Sequence, residues 1–155
     1  MDRLRELLRA VFISPEVLVT GIIALGAAFV PSWVRSAGSA FLSGDVPNVL
    51  AVLGAPFALV MAAYTLSGSV LRPHGERTVL RTWSEYWRLR LRVVVALGYT
   101  LVGSIAVTVG WVLFKAHWEL TGSAVSLAGA GIAAVAVATI AHARQDVEDI
   151  VDRLS

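Results

Sequence analysis

The segment LTGSAVSLAGAGIAAVAVATIAH, residues 120–142, is the clearest indication of the fold class of this chain. It carries no charged residue before His142. A helix that rises 1.5 Å per residue needs about 20 residues to cross a hydrocarbon layer of roughly 30 Å. Membrane barrel strands would instead show about ten residues of alternating polarity, and residues 124–140 show no such alternation. The segment therefore predicts a transmembrane helix.

Three more uncharged runs cover residues 17–34, 46–71 and 93–114. Hydrophobic residues make up 57% of the chain and charged residues only 15%, more apolar than a typical soluble domain. The connection between the second and third runs is too short for a separate domain. We therefore expect an all-α membrane protein, one domain over residues 1–155, whose four transmembrane helices cover about residues 15–36, 46–71, 93–115 and 120–142.

Arginine placement predicts the orientation of these helices. Eleven arginines lie before the first run, between the second and third runs, or after the fourth. Only Arg35 and Lys115 lie on the opposite side. Because loops rich in Lys and Arg stay in the cytoplasm, the sequence predicts a multi-pass protein of the cell's inner membrane with both termini cytoplasmic.

Short amphipathic helices are predicted outside the membrane at about residues 2–13, 76–92 and 143–154. In the second of these, aromatic residues oppose an arginine stripe, which suits a helix in an anionic headgroup layer. A helix that projects into the cytosol and packs on protein is the alternative. The candidate lipid-binding or partner-binding residues are Arg77, Arg81, Arg88, Arg92, Trp83 and Trp87.

The C-terminal helix is acidic and has one apolar stripe. Acidic residues are repelled by an anionic leaflet, so we expect this helix to extend from the fourth span into the cytosol. It would pair there with other copies of the chain or with a cytosolic protein. The stripe consists of Val147, Ile150, Val151 and Leu154.

Small residues recur every four positions in the fourth span. Such a ridge lets another helix approach closely, either within the chain or across a homo-oligomer seam. The residues are Gly122, Ser126, Ala130, Ala134 and Ala138.

Two polar features stand beside the apolar runs. Thr100, Ser104 and Thr108 form a row in the third span, which could line a pore or bond to carbonyls of its own helix. Ser14-Pro15-Glu16 reads as a helix start, with Glu16 favoured by the helix dipole. Pro31 predicts a kink or the end of the first span.

The sequence shows no catalytic motif, it contains no cysteine, and its three histidines lie on different segments. We expect no enzyme activity, no cofactor, no metal site and no nucleic-acid partner. Two functions remain: a homo-oligomeric channel subunit, or a non-catalytic anchor that recruits a cytosolic partner, for example in a defence or signalling system.

Overall fold

A computed structural model of the chain describes residues 14–42, 49–71, 83 and 85–154, except for the side chains of residues 49–57, 69, 152 and 154. This part of the chain forms five α-helices and no strand, which confirms the all-helical class. The predicted helix at residues 2–13 lies outside the described residues. In chain order the helices are α1 (Pro15–Phe29), α2 (Pro31–Leu42), α3 (Val49–Leu71), α4 (Tyr86–Lys115) and α5 (Glu119–Leu154).

Two helices in the described part, α4 and α5, are each long and apolar enough to cross a membrane. The pair α1 and α2 is apolar enough together, but the two helices are bent by 117° at the break between them. The described apolar section of α3, Ala58–Gly68, is shorter than a span. The structure thus has two or three helices that fit a membrane, and the predicted number of four is met only in part.

The break between α1 and α2 falls at Val30 and Pro31. The amide of Val30 still donates to the carbonyl of Gly26 at 2.8 Å. Pro31 has no amide hydrogen, and its ring disfavours helical geometry in the residue before it. The break confirms the role predicted for Pro31, and two bent helices replace the continuous span predicted over residues 15–36.

The start of α1 is capped as the sequence predicts. Ser14 has extended backbone angles, and its hydroxyl accepts a hydrogen bond from the amide of Val17 at 3.4 Å. Pro15 follows in the first turn, where a missing amide hydrogen costs nothing. Ser14 is therefore the N-cap, and Glu16 is the acidic residue of the first turn.

A three-residue turn joins α4 to α5. His117 adopts a left-handed conformation with φ of 68°. The amide of Trp118 donates to Leu113 at 3.0 Å, and that of His117 donates to Phe114 at 3.2 Å. These two bonds are those of a Schellman motif, in which glycine usually occupies the left-handed position. The turn makes α4 and α5 antiparallel neighbours.

The α4–α5 contact is unusually close. A Cβ atom added to Gly103 would lie 2.6 Å from the carbonyl oxygen of Gly129, and one added to Gly122 would lie 2.7 Å from that of Gly110. Along one side of α5, buried positions recur in steps of four and three residues, close to the ordinary helical repeat of 3.6 residues per turn. They are Gly122, Ser126, Gly129, Ala133, Ala136, Ile140, Ala143 and Val147.

Helix α5 lies at the centre of the described bundle, since α1, α2, α3 and α4 all pack against it. Near the hairpin turn, α2 approaches so closely that a Cβ atom on Gly38 would overlap the side chain of Ser123. Toward the other end, Ala63 and Val70 of α3 join α4 and α5 in one buried apolar cluster.

The outer faces of the helices are strongly apolar. Leu18, Ile22, Leu25 and Phe29 of α1 are 59–80% exposed. Exposed apolar residues continue along α4: Val94, Leu101, Val102, Ile105, Val109 and Val112. Soluble proteins rarely expose such continuous apolar surface, whereas a membrane protein covers it with lipid.

Candidate functional site

The arginine-rich end of the bundle, opposite the hairpin turn, holds three helices together. The hydroxyl of Tyr86 in α4 donates to the carbonyl of Val70 in α3 at 2.7 Å. Val147 of α5 is fully buried in the same cluster, with Leu89 packed against it. This end is therefore part of the packed core rather than a loose extension.

The acidic C-terminal segment is helical, as predicted, and continues α5 without a break to Leu154. Its apolar stripe is largely used within the chain: Val147 is buried, and Ile150 and Val151 pack against the same cluster. The side chain of Leu154 lies outside the described residues. The stripe was expected to face other copies or a partner, but Val147 is covered by the chain's own helices.

The first two turns of α4 carry three arginines. Arg88, Arg90 and Arg92 are all exposed, and Arg88 pairs with Glu85 at 2.9 Å. Trp87 is half-buried in the first turn of α4, and Trp83 is half-buried just before the helix. Arg77 and Arg81 lie outside the described residues. Of the helix predicted over residues 76–92, the structure thus describes Trp83 and residues 85–92, and the three arginines in this part are exposed.

The acidic residues of α5 lie at its C-terminal end, after His142. Arg144 pairs with Glu148 at 3.1 Å, and His142 approaches Asp146 at 3.9 Å. Asp149 is exposed. Residues 85–92 of α4 carry a net charge of +2 and residues 142–154 of α5 a net charge of −2, so the α4 and α5 faces of this end of the hairpin differ in sign. We call this end, residues 85–92 of α4 and 142–154 of α5, the charged tip.

The predicted small-residue seam is divided by the structure. Gly122 and Ser126 are buried against α4, Ala130 is half-buried, and Ala134 and Ala138 are exposed. A step of four residues turns about 40° further than one helical turn, so an i+4 row drifts around the helix. The contact with α4 follows Gly129 and Ala133 instead. An oligomer seam at Ala134 and Ala138 stays a prediction.

The predicted polar row faces the interior of the bundle. Thr100 is fully buried and Ser104 is 5% exposed. The hydroxyl of Thr100 donates to the Ala96 carbonyl at 3.0 Å, and that of Thr108 donates to the Ser104 carbonyl at 3.2 Å. Side chains buried inside one chain do not face a path between copies. Helix self-bonding therefore accounts for these two hydroxyls, and pore lining stays a prediction without geometric support.

Sequence reasoning missed a polar contact between α1 and α5. Glu16 is only 3% exposed, and its Oε1 lies 3.4 Å from the hydroxyl of Thr139. That hydroxyl has a single hydrogen, and the nearer of its two acceptors is the Val135 carbonyl at 2.9 Å. Glu16 belongs to the first turn of its helix, as predicted, but it is also a buried acid between two membrane helices. A buried acid in a membrane segment is a candidate functional residue, and no local sequence signal places Thr139 beside it.

A second feature missing from the sequence analysis lies at the hairpin turn. Arg35 of α2 faces Glu119 of α5, with Nε and Oε2 3.9 Å apart. The two side chains border an open pocket of about 290 Å³ together with His117, Trp118, Leu120 and Thr121. Arg35 and Glu119 are 84 positions apart, so only the folded chain brings them together.

Within residues 14–42, 49–71, 83 and 85–154, no three His, Cys, Asp or Glu side chains cluster in a way that could hold a metal ion. His117 lies at the hairpin turn, and His142 lies on the charged tip. His74 lies outside the described residues.

No protein-family model, no curated protein and no solved structure matches this chain. Three features of the described structure bear on function: the charged tip, the buried Glu16 and the pocket at the hairpin turn.

Proposed function

We propose that this chain is a non-catalytic anchor of the inner membrane, whose charged tip recruits a protein partner in the cytosol. In this proposal four helices cross the membrane, α1 with α2 forming the first and α3 the second. Both termini then lie on the cytoplasmic side. The support for this orientation is the concentration of arginine at the charged tip and in the segments that join it.

The observation that carries the proposal is the unbroken course of α5 past the apolar region into a packed, charged end. Its 36 residues span about 54 Å, roughly 24 Å more than a hydrocarbon layer is thick. Val147 is fully buried in this extension. The extension is therefore held rigidly against α4, and a rigid surface binds a partner without the entropy cost of ordering itself.

The charge pattern of the tip favours a protein over a bare lipid surface as its partner. An anionic leaflet would attract the arginines of α4 but repel Asp149 and its acidic neighbours on α5. A protein surface can present complementary charges to both faces, which fixes its orientation. The alternative prediction, that residues 76–92 lie flat in the headgroup layer, has weaker support, because Tyr86 and Leu89 of α4 pack against the cluster that contains Val147 of α5.

Site-specific photo-crosslinking in native membranes tests the proposal. A benzophenone side chain placed at Gln145 or Asp149, both exposed on the tip, should give a discrete protein adduct. The same group at Val109, exposed on the apolar face of α4, is the matched control and should react only with lipid. Reversing charge with Arg92→Glu should remove the adduct from Gln145, because the partner is expected to contact both faces.

The size of the adduct distinguishes the two functions. A product of twice the 16.5 kDa chain would show that the tip meets a second copy rather than a recruited protein. The anchor proposal fails if neither tip position gives a heterologous protein adduct in cells of the natural host. It also fails if the Gln145 adduct survives Arg92→Glu.

A homo-oligomeric channel subunit is the second candidate, favoured by one observation. Ala134 and Ala138 are exposed although they lie in the membrane section of the central helix. Small exposed residues allow a helix of another copy to approach closely. Ion flux from liposomes that contain purified protein tests this function. Flux should fall when Ala138 is replaced by Leu, and tight liposomes at every voltage and pH tried would contradict it.

A further inference from the structure

The pocket at the hairpin turn is bordered by one positive and one negative side chain. Arg35 and Glu119 are 59% and 57% exposed, and their closest charged atoms are 3.9 Å apart. An exposed ion pair at this distance contributes little to stability. Both side chains are therefore available to a ligand that offers each of them a better partner.

The backbone beneath this pocket is rigid. Gly38 lies one helical turn beyond Arg35 and packs directly on Ser123, which follows Thr121 by two residues. On the other side, the Schellman motif fixes His117 and Trp118. The two charged groups are thus carried by elements that cannot easily separate.

The position of the pocket places it at a membrane surface, whichever leaflet that is. The apolar face of α4 extends to Val112, three residues before the helix ends at Lys115. Trp118 borders the pocket and is 64% exposed, and Trp33 of α2 is 61% exposed. Exposed tryptophans at the end of a span favour the headgroup region.

From these observations we infer that the pocket binds the zwitterionic headgroup of a phospholipid that carries a primary ammonium, as in phosphatidylethanolamine. The guanidinium of Arg35 binds the phosphate, for which its planar set of donors is suited. The carboxylate of Glu119 accepts hydrogen bonds from the ammonium, and the ring of Trp118 offers a cation–π contact. This inference rests on membrane insertion of α4 and α5 and is independent of the proposed anchor function.

The paired charges also predict selectivity among lipids. Phosphatidylglycerol has a phosphate but no cation, so it leaves Glu119 beside an anion. Phosphatidylcholine has a quaternary ammonium, which has no N–H group to donate to Glu119. The pocket should therefore prefer phosphatidylethanolamine to both, and neutralising either Arg35 or Glu119 should remove the preference.

Native mass spectrometry of the full chain released from nanodiscs tests the inference. With equal amounts of the three lipids, wild-type protein should retain phosphatidylethanolamine preferentially. Arg35→Gln and Glu119→Gln should each lower its retention about tenfold, the effect of losing one charge-assisted contact. Lys115→Gln is the matched control, since Lys115 is an exposed cation at the same helix end but does not border the pocket.

The outcomes are distinct. Preference for phosphatidylethanolamine that is lost in both pocket variants and kept in Lys115→Gln supports the inference. Preference for phosphatidylglycerol, or equal loss in all three variants, overturns it. Soluble glycerophosphoethanolamine that binds as well as the lipid would overturn the assignment to a membrane lipid. Because both side chains are more than half exposed, neither variant should unfold the protein, and circular dichroism checks this.

Discussion

Replacing Gly103 by alanine should push α4 and α5 apart. The new methyl carbon would lie 2.6 Å from the Gly129 carbonyl oxygen and 2.9 Å from the Ala133 amide nitrogen. Ordinary van der Waals contact begins at about 3.5 Å, so the closer atom is about 0.9 Å too near. Both atoms belong to the backbone of α5, and no side-chain rotation can relieve the overlap. Helices α4 and α5 must therefore move apart, which weakens the packing between them along the hairpin.

Gly98→Ala is the matched control because it lies on the same helix and has no atom within 4 Å of its added Cβ. Both substitutions gain the same helix propensity, about 0.8–1 kcal/mol in aqueous hosts. The difference between the unfolding free energies of the two variants therefore measures the cost of the steric overlap at Gly103. Overpacking a close contact costs about 1–3 kcal/mol. We therefore expect the free energy of unfolding of Gly103→Ala to be about 1–3 kcal/mol lower than that of Gly98→Ala.

Equilibrium unfolding in mixed micelles, with rising dodecyl sulfate and helicity followed by circular dichroism, measures this difference. The free energy of unfolding of Gly98→Ala should equal or exceed that of the wild type. Gly103→Ala should fall below both. Equal values for the two variants would show that α4 and α5 are not in the close antiparallel contact described here.

Three further predictions concern single contacts and use the same unfolding assay. Thr139→Val removes the hydroxyl beside the buried Glu16 and should cost about 1 kcal/mol, with Thr139→Ser restoring stability; an unchanged valine variant would argue against the contact. His117→Gly removes the strain of a left-handed non-glycine residue and should leave the free energy of unfolding unchanged or raise it. His117→Val should lower it by about 1–2 kcal/mol, and equal stability of the two variants would contradict the turn geometry. Tyr86→Phe loses the bond to Val70 and should cost about 0.5–1.5 kcal/mol, and no loss would mean that α3 is not tied to α4 there.

Some of this structure could be predicted because it depends on local chemistry. The apolar run at residues 120–142 predicts a helix, and α5 contains all of it. Ser14 and Pro15 predict the start of α1, and Pro31 predicts its break. Each of these signals lies within a few residues of its effect. The bend of 117° is not local, because it depends on how α2 packs against α5.

Other features depend on contacts between distant segments, and local patterns could not predict them. The contact with α4 follows Gly129 and Ala133 rather than Ala130 and Ala134, because a row of residues four apart drifts around the helix and away from α4. Thr139 meets Glu16 across 123 positions of sequence. The apolar stripe of the tail suggested an external partner, yet Val147 packs within its own chain.

Labelling of introduced cysteines in intact cells tests whether the chain crosses the membrane four times with its charged tip in the cytoplasm. The chain contains no cysteine, so each new thiol reports one position. With this topology, a membrane-impermeant maleimide should label Ser43→Cys and Thr121→Cys in intact cells. Asp2→Cys and Gln145→Cys should react only after lysis. Labelling of Gln145→Cys from outside, or of Asp2→Cys on the side opposite Gln145→Cys, would contradict it.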